Sequence, residues 1–176
     1  MKRILVTGAN KGIGLATVEN LLQNHPDTFL ILGSRDEKRG DEAVGFLTSK
    51  EPKWSDRLMM LAIDVSNDES VTMAAETVAS SFETEAKPLY GIINNAGIGS
   101  SSIGLEPTLQ VNTWGIHRVC EAFVPLLEAS GRIVNVTSAA GPNFVEATYD
   151  VTRTMLTDPD VQWDACLLYT SPSPRD

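Results

Sequence analysis

Thr7-Gly8-Ala9-Asn10-Lys11-Gly12-Ile13-Gly14 is the stretch on which the reading of the fold turns. It follows a β-rich run, residues 2–7, that reads as a buried parallel strand. It opens a segment, residues 12–24, in which Ile13, Ala16, Val18, Leu21 and Leu22 recur at roughly helical spacing. Glycines let the backbone turn tightly and approach a ligand closely, and a helix N-terminus offers free N–H groups to an anion. A strand, a glycine loop and a helix in that order form a cradle for a pyrophosphate. Glycines serving only as a turn are the plainer alternative. The strand before them and the patterned helix after them are what the cradle requires.

The same alternation continues outward. His25-Pro26-Asp27 ends the first helix, and residues 28–33 form a second strand. A polar helix follows over about 37–49, with Ala43, Val44, Phe46 and Leu47 facing inward. Residues 58–63 are a third strand ending at Asp64-Val65, after which Ser66 or Asn67 can cap a helix over about 68–83. Residues 90–95 form a fourth strand, residues about 107–129 carry a helical pattern, and residues 132–138 form a fifth strand. Strands alternating with helices predict βαβ units and an α/β fold around a parallel sheet. Beyond Ser138 the pattern stops at Gly141-Pro142 and stays weakly periodic.

Composition narrows the partners. The 176 residues suit one domain, and the 42% hydrophobic and 21% charged shares are those of a globular chain rather than a disordered one. Lys plus Arg is 14 against 23 Asp plus Glu, a net charge of −9, which argues against a nucleic-acid or anionic-membrane partner. No apolar run is long enough to span a bilayer. Cys120 and Cys166 make no disulfide framework, so a reducing compartment, the cytoplasm, is expected. His117 has no Cys, Asp or Glu at ligand spacing, and no metal site is expected. His25 reads as a cap or surface residue and Cys120 as a small buried one. Trp54, Trp114 and Trp163 read as packing or surface aromatics.

The loop's spacing is TGxxxGxG, and further motifs follow it in a fixed order: Asp64-Val65 after the third strand, Asn94-Asn95-Ala96-Gly97 ending the fourth, Val111-Asn112-Thr113-Trp114-Gly115 on the next helix, and Val134-Asn135-Val136-Thr137-Ser138 on the fifth strand. Together they resemble the short-chain dehydrogenase/reductase family over residues 2–141, and the wording VTGANKGIGLA resembles its carbonyl-reductase branch. The resemblance implies a doubly wound Rossmann sheet of order 3-2-1-4-5, with the cofactor at the crevice where the order reverses. It implies cofactor contacts from Gly8, Asn10, Lys11, Gly12, Ile13, Gly14, Asp64, Val65, Asn95, Ala96 and Gly97. It also implies hydride transfer between a nicotinamide and a small-molecule carbonyl or alcohol.

The nucleotide is read at the end of the second strand. An acid there would grip the ribose hydroxyls of NAD, but the position reads Gly33-Ser34-Arg35. Ser34 does not repel a 2′-phosphate, and Arg35 can pair with one bidentately, with Lys11 and Arg39 adding positive charge. NADP is therefore the expected cofactor. The alternatives are that these cations are solvated surface charges, or that Asp36 swings in and selects NAD.

Catalysis in the family uses Ser, Asn, Tyr and Lys, and the resemblance carries over to Ser138 and Asn112 as catalytic residues. Tyr and Lys should stand as YxxxK, one helical turn apart, and the sequence contains no YxxxK. Tyr149 with Arg153 is the nearest substitute, and a poor one, because guanidinium does not mimic the lysine point charge. Residues 166–176 resemble a translated sequencing-library adapter. The expected organisation is an incomplete dinucleotide-binding domain over 1–141, the start of an insertion over 142–165, and a non-native disordered tail over 166–176. The chain is then a truncated, inactive piece of a carbonyl reductase. The alternative is a non-catalytic NADP-binding sensor, whose support is the missing YxxxK.

Overall fold

The computed structural model describes residues 1–99 and 104–161. The tail over 166–176, Cys166, Trp163 and the end of the 142–165 segment lie outside the described residues. Two compact units are present, one over Met1–Val136 and a second beginning at Thr137.

In the first unit, strands β1 (Lys2–Val6), β2 (Thr28–Ser34), β3 (Leu58–Ala62), β4 (Leu89–Asn94) and β5 (Leu127–Asn135) form one sheet of order β3-β2-β1-β4-β5. All its pairings are parallel, as the βαβ reading requires. Helices α1 (Gly12–Asn24), α2 (Glu37–Lys50), α3 (Asp68–Ser81), α4 (Leu105–Asn112) and α5 (Trp114–Phe123) supply the crossovers. The period-2 alternation of the strands divides the core between two faces. Ile4, Val6, Leu30 and Leu32 pack with Val18 and Leu22 of α1 and Ala43 and Leu47 of α2. Leu5, Ile31 and Ile92 pack on the other face with Val71, Ala74 and Val78 of α3 and Val119 and Phe123 of α5. Each large side chain so buried stabilises the fold by about 1.5–3 kcal/mol.

Side chains from near and far in the sequence close the helix ends. Asn67, not Ser66, caps α3, its Oδ1 accepting from the Ser70 N–H at 2.8 Å. Arg57, on a 3₁₀ turn over Pro52–Arg57, donates to the carbonyls of Leu22 (2.7 Å), His25 (3.1 Å) and Thr28 (2.9 Å). It completes the C-terminus of α1, which has no basic residue in its own last turn. His25 is the C-cap of that helix.

Two sequence expectations are corrected here. The helical pattern over 107–129 is broken at Thr113 into α4 and α5 and stops at a 3₁₀ turn over Val124–Leu126 containing Pro125. Proline has no N–H to continue the ladder, so the chain turns into β5 at Leu127, well before residue 132. A register irregularity lies between the pairs Leu89–Leu127 and Gly91–Arg132, which lets the strand start early and still align Ile133 with Ile92. The run beyond Ser138 is not patternless. In the second unit it forms α6 (Ala140–Ala147) and α7 (Asp150–Thr157).

Arg3 ties β1 to the segment before β4. Its guanidinium donates to both Glu85 carboxylate oxygens at 2.8 and 2.7 Å and to the Pro88 carbonyl at 3.2 Å, and it lies over the Phe82 ring at 4.3 Å. These hydrogen bonds hold the Glu85 carboxyl below its usual value, outweighing the opposing effect of burial. A depressed carboxylate stabilises the fold above its unfolded pKa and loses that contribution as pH falls through the folded one. Glu85→Gln should therefore lower the melting temperature at pH 7, and the gap to the parent should close below about pH 4. Thermal melts from pH 3 to 8 check this.

Candidate functional site

The ends of β1 and β4 part beside the glycine loop, because the chain leaves the sheet in opposite directions on either side of β1. The resulting cleft has a volume of about 400 Å³. Its floor is the loop. Gly8 has φ +63°, and a Cβ there would lie 2.8 Å from the Ala96 Cα. A Cβ on Gly14 would lie 2.5 Å from Asn95 Nδ2 and 2.6 Å from the Gly8 carbonyl. The glycines thus permit backbone to pass against backbone, and the N-terminus of α1 opens into the cleft.

Thr7 and Asn95 lock this loop to β4. Thr7 Oγ1 accepts from the N–H groups of Asn95 and Ala96, both at 3.0 Å. The Asn95 carboxamide donates to the carbonyls of Thr7 (2.8 Å) and Gly8 (3.1 Å). The neighbouring Asn94 points the other way, donating to Asn135 Oδ1 at 2.8 Å and so joining β4 to β5. Thr7 was not singled out by the sequence reading. A hydroxyl-bearing residue at a strand end, where two incoming amides need an acceptor, was the available signal.

The cleft brings together Gly8, Asn10, Lys11, Gly12, Ile13, Gly14, Arg35, Asp64, Val65, Asn95, Ala96 and Gly97, all expected from the sequence. Arg39, Asp36, Ile63, Ile98 and Val111 line it as well. Ser34 does not. It is 1% exposed, and its hydroxyl donates inward to the Asp36 carbonyl at 2.7 Å, shaping the turn after β2. Asp36 is the N-cap of α2. Its Oδ1 accepts from the Arg39 N–H at 3.0 Å, and Oδ2 lies 3.3 Å from Arg39 Nε. Arg35 is two-thirds exposed and stands 3.9 Å from Asp64 Oδ2, while Asp64 Oδ1 accepts from the Ser66 N–H and hydroxyl at 2.9 and 2.6 Å. Three cations, Lys11, Arg35 and Arg39, therefore line the cleft, with Asp64 beside Arg35 and Asp36 beside Arg39.

Asn112 does not offer a free amide. Its Oδ1 accepts from the Ile98 N–H and its Nδ2 donates to the Ile98 carbonyl, both at 2.9 Å, which fixes the segment after β4. Ser138 lies in the second unit, exposed, with its hydroxyl accepting from the Ala140 N–H at 3.2 Å. Tyr149 is 86% exposed at the N-cap of α7. The Arg153 guanidinium is engaged with the carbonyls of Val145, Glu146 and Thr148, closing the end of α6. Cys120 is half-buried rather than fully buried and touches the Asn94 amide at 3.8 Å; burial pushes its thiol above its ordinary value. Trp114 and His117 pack edge to face at 5.9 Å. Among the described residues no group of three His, Cys, Asp or Glu could hold a metal ion, and no helix is long and apolar enough to cross a membrane.

Residues 2–154 match the short chain dehydrogenase family. D-beta-hydroxybutyrate dehydrogenase, mitochondrial, of Bos taurus is 35% identical over 163 residues, covering 86% of this chain and 46% of that protein. Carbonyl reductase [NADPH] 1 of Rattus norvegicus is 33% identical over 144 residues, covering 77% and 48%. Among solved structures, the NADPH-bound carbonyl reductase from chicken fatty liver superposes with a TM-score of 0.67 at 30% identity, covering 80% of this chain and 61% of that one. Menthone neomenthol reductase from Mentha piperita shares the fold with a TM-score of 0.82 at 24% identity, covering 96% and 71%. The chain spans about half the length of the curated relatives it matches.

The Asn95 staple is directly testable. Asn95→Ala removes two donors and leaves the Thr7 and Gly8 carbonyls short of partners, at a cost of about 1–3 kcal/mol. Urea denaturation should show that loss, and hydrogen exchange should show faster opening of the loop amides over 8–14.

Proposed function

This chain belongs to the short-chain dehydrogenase family, and we propose that it is the NADP-binding part of an oxidoreductase that reduces small-molecule carbonyls to alcohols. One observation supports this most: a loop stripped of side chains at its bends shares a cleft with Lys11, Arg35 and Arg39. The residues present suit a dinucleotide. The loop amides and the α1 N-terminus suit a pyrophosphate. Arg35 and Arg39 suit a 2′-phosphate, for which each would exchange a carboxylate partner. Asp36 is engaged as a helix cap, which disfavours its recruitment to a ribose and hence NAD. The names of the NADPH-dependent relatives agree with this reading.

Bound NADPH would supply the hydride. The chain's own contribution is to bind and orient. Ser138 would donate a hydrogen bond to the reacting oxygen, and Asn112 would hold the wall of the cleft through Ile98. Proton delivery needs an acid that neither provides. The 176 residues hold no YxxxK, and Tyr149 and Arg153 are placed as helix-end residues. General acid catalysis contributes about 10²–10⁴ in rate, so this polypeptide should bind cofactor and turn over little or nothing. The same absence favours a second reading, a non-catalytic NADP-binding sensor. The acidic composition suits a small-molecule partner in the cytoplasm rather than nucleic acid or a membrane.

Fluorescence titration of the purified chain should show tighter binding of NADPH than of NADH by at least about tenfold, the worth of one charge-assisted bond. Arg35→Ala should remove most of that preference. Equal affinities would contradict the reading, as would an Arg35→Ala variant with NADPH binding unchanged. In an NADPH-oxidation assay with aldehydes and quinones, the parent and Tyr149→Phe should be equally inactive.

A further inference from the structure

The break between α4 and α5 stands beside the cleft. α4 ends at Asn112 and α5 begins at Trp114, so the helical ladder does not run through. The Gln110 carbonyl falls at this break and is taken by a side chain. Arg118 Nη1 donates to it at 3.1 Å, and Nη2 donates to Gln110 Oε1 at 2.7 Å. Arg118 Nε donates to Asp68 Oδ1, in the first turn of α3, at 2.8 Å. One guanidinium thereby joins α5, the end of α4 and the start of α3. Its side chain is only 15% exposed, whereas Asp68 is 82% exposed. Nothing in the glycine loop or the strand-end motifs calls for this residue.

What the break presents is the far wall of the cleft. Val111, next to Gln110, lines it. Asn112, two residues on, holds both the N–H and the carbonyl of Ile98, another lining residue. Gly115 lets α5 approach Val65, also in the lining, so closely that a Cβ would lie 2.9 Å from Val65 Cγ2. A shift of the α4 terminus would move Val111 and Asn112 together, and Ile98 with them.

We propose that Arg118 is a positioning residue for the cleft, fixing the α4–α5 break so that Val111, Asn112 and Ile98 form the wall against which the dinucleotide binds. The proposal rests on reading the cleft as a dinucleotide site. A lysine cannot replace Arg118, because it lacks the planar fork that serves the Gln110 carbonyl, Gln110 Oε1 and Asp68 at once.

The test compares Arg118→Met, Arg118→Lys and a control, Arg57→Met, in the 176-residue protein labelled with ¹⁵N. Arg57 clamps the opposite end of α1 and lines no part of the cleft. Two quantities are read: hydrogen exchange at the Ile98 amide and NADPH affinity by fluorescence titration. Arg118→Met should speed Ile98 exchange and weaken NADPH binding, each by about tenfold, as expected when a charge-assisted hydrogen bond is lost. Arg118→Lys should move both in the same direction by less. Arg57→Met should lower the melting temperature with neither quantity changed. Should Arg118→Met fail to fold, Arg118→Lys decides. Unchanged Ile98 exchange in a folded Arg118 variant overturns the proposal. A parent protein that does not bind NADPH would overturn the dinucleotide reading instead, and Ile98 exchange would still decide the role of Arg118.

Discussion

Everything in the cleft hangs on the Thr7 hydroxyl and the Asn95 carboxamide where β1 and β4 part. Without them, the amides of Asn95 and Ala96 and the carbonyls of Thr7 and Gly8 would face each other across a gap with no partners. Unpaired groups of this kind cost about 1–3 kcal/mol each when buried. The two side chains satisfy all four and set the distance between the strand ends. That distance is short enough that Gly8 and Gly14 can carry no side chain. The bareness of the loop and the lock on β4 are thus one constraint seen from two sides.

Electrostatics gives the cleft a character the whole chain lacks. The chain carries a net charge of −9, yet Lys11, Arg35 and Arg39 all line the cleft. Asp36 and Asp64 keep two of these cations in place without burying them. Such exposed pairs are individually weak, so an incoming phosphate dianion can displace the carboxylates at small cost. A chain of net charge −9 does not steer an anion from long range, so the local cluster is the source of any preference for a phosphorylated ribose.

Strand and helix order were legible because each β-rich run meets a glycine, Asp or Asn boundary, and α1 to α3 keep an apolar stripe, although Phe46, expected to face inward on α2, is 47% exposed with Lys50 over its ring. The α4–α5 break was not, since Val111, Gly115, Val119 and Phe123 keep helical spacing straight across Thr113, and only the contacts of Gln110 and Gly115 reveal the interruption. The site was legible wherever a residue type has one use, as with the loop glycines. It was not where the use depends on direction. Ser34 stands at the expected position, but its hydroxyl faces the turn rather than the cleft. Asn112 sits on the expected helix, but its amide is engaged with Ile98. β5 carries an apolar run, and its Ile133 and Val134 are 42% and 50% exposed, because β5 is the last strand of the sheet among the described residues.

On the proposed function, the Thr7–Asn95 lock shapes a cleft that would take NADP, with the pyrophosphate on the glycine loop and the 2′-phosphate on Arg35 and Arg39. The most direct measurement is a ¹H–¹⁵N spectrum of the protein titrated with NADPH and, separately, with NADH. The account predicts that both shift the amides over residues 10–14, and that NADPH alone adds large shifts at Arg35 and Arg39. Shifts confined to amides outside the cleft, or identical maps for the two nucleotides, would contradict it.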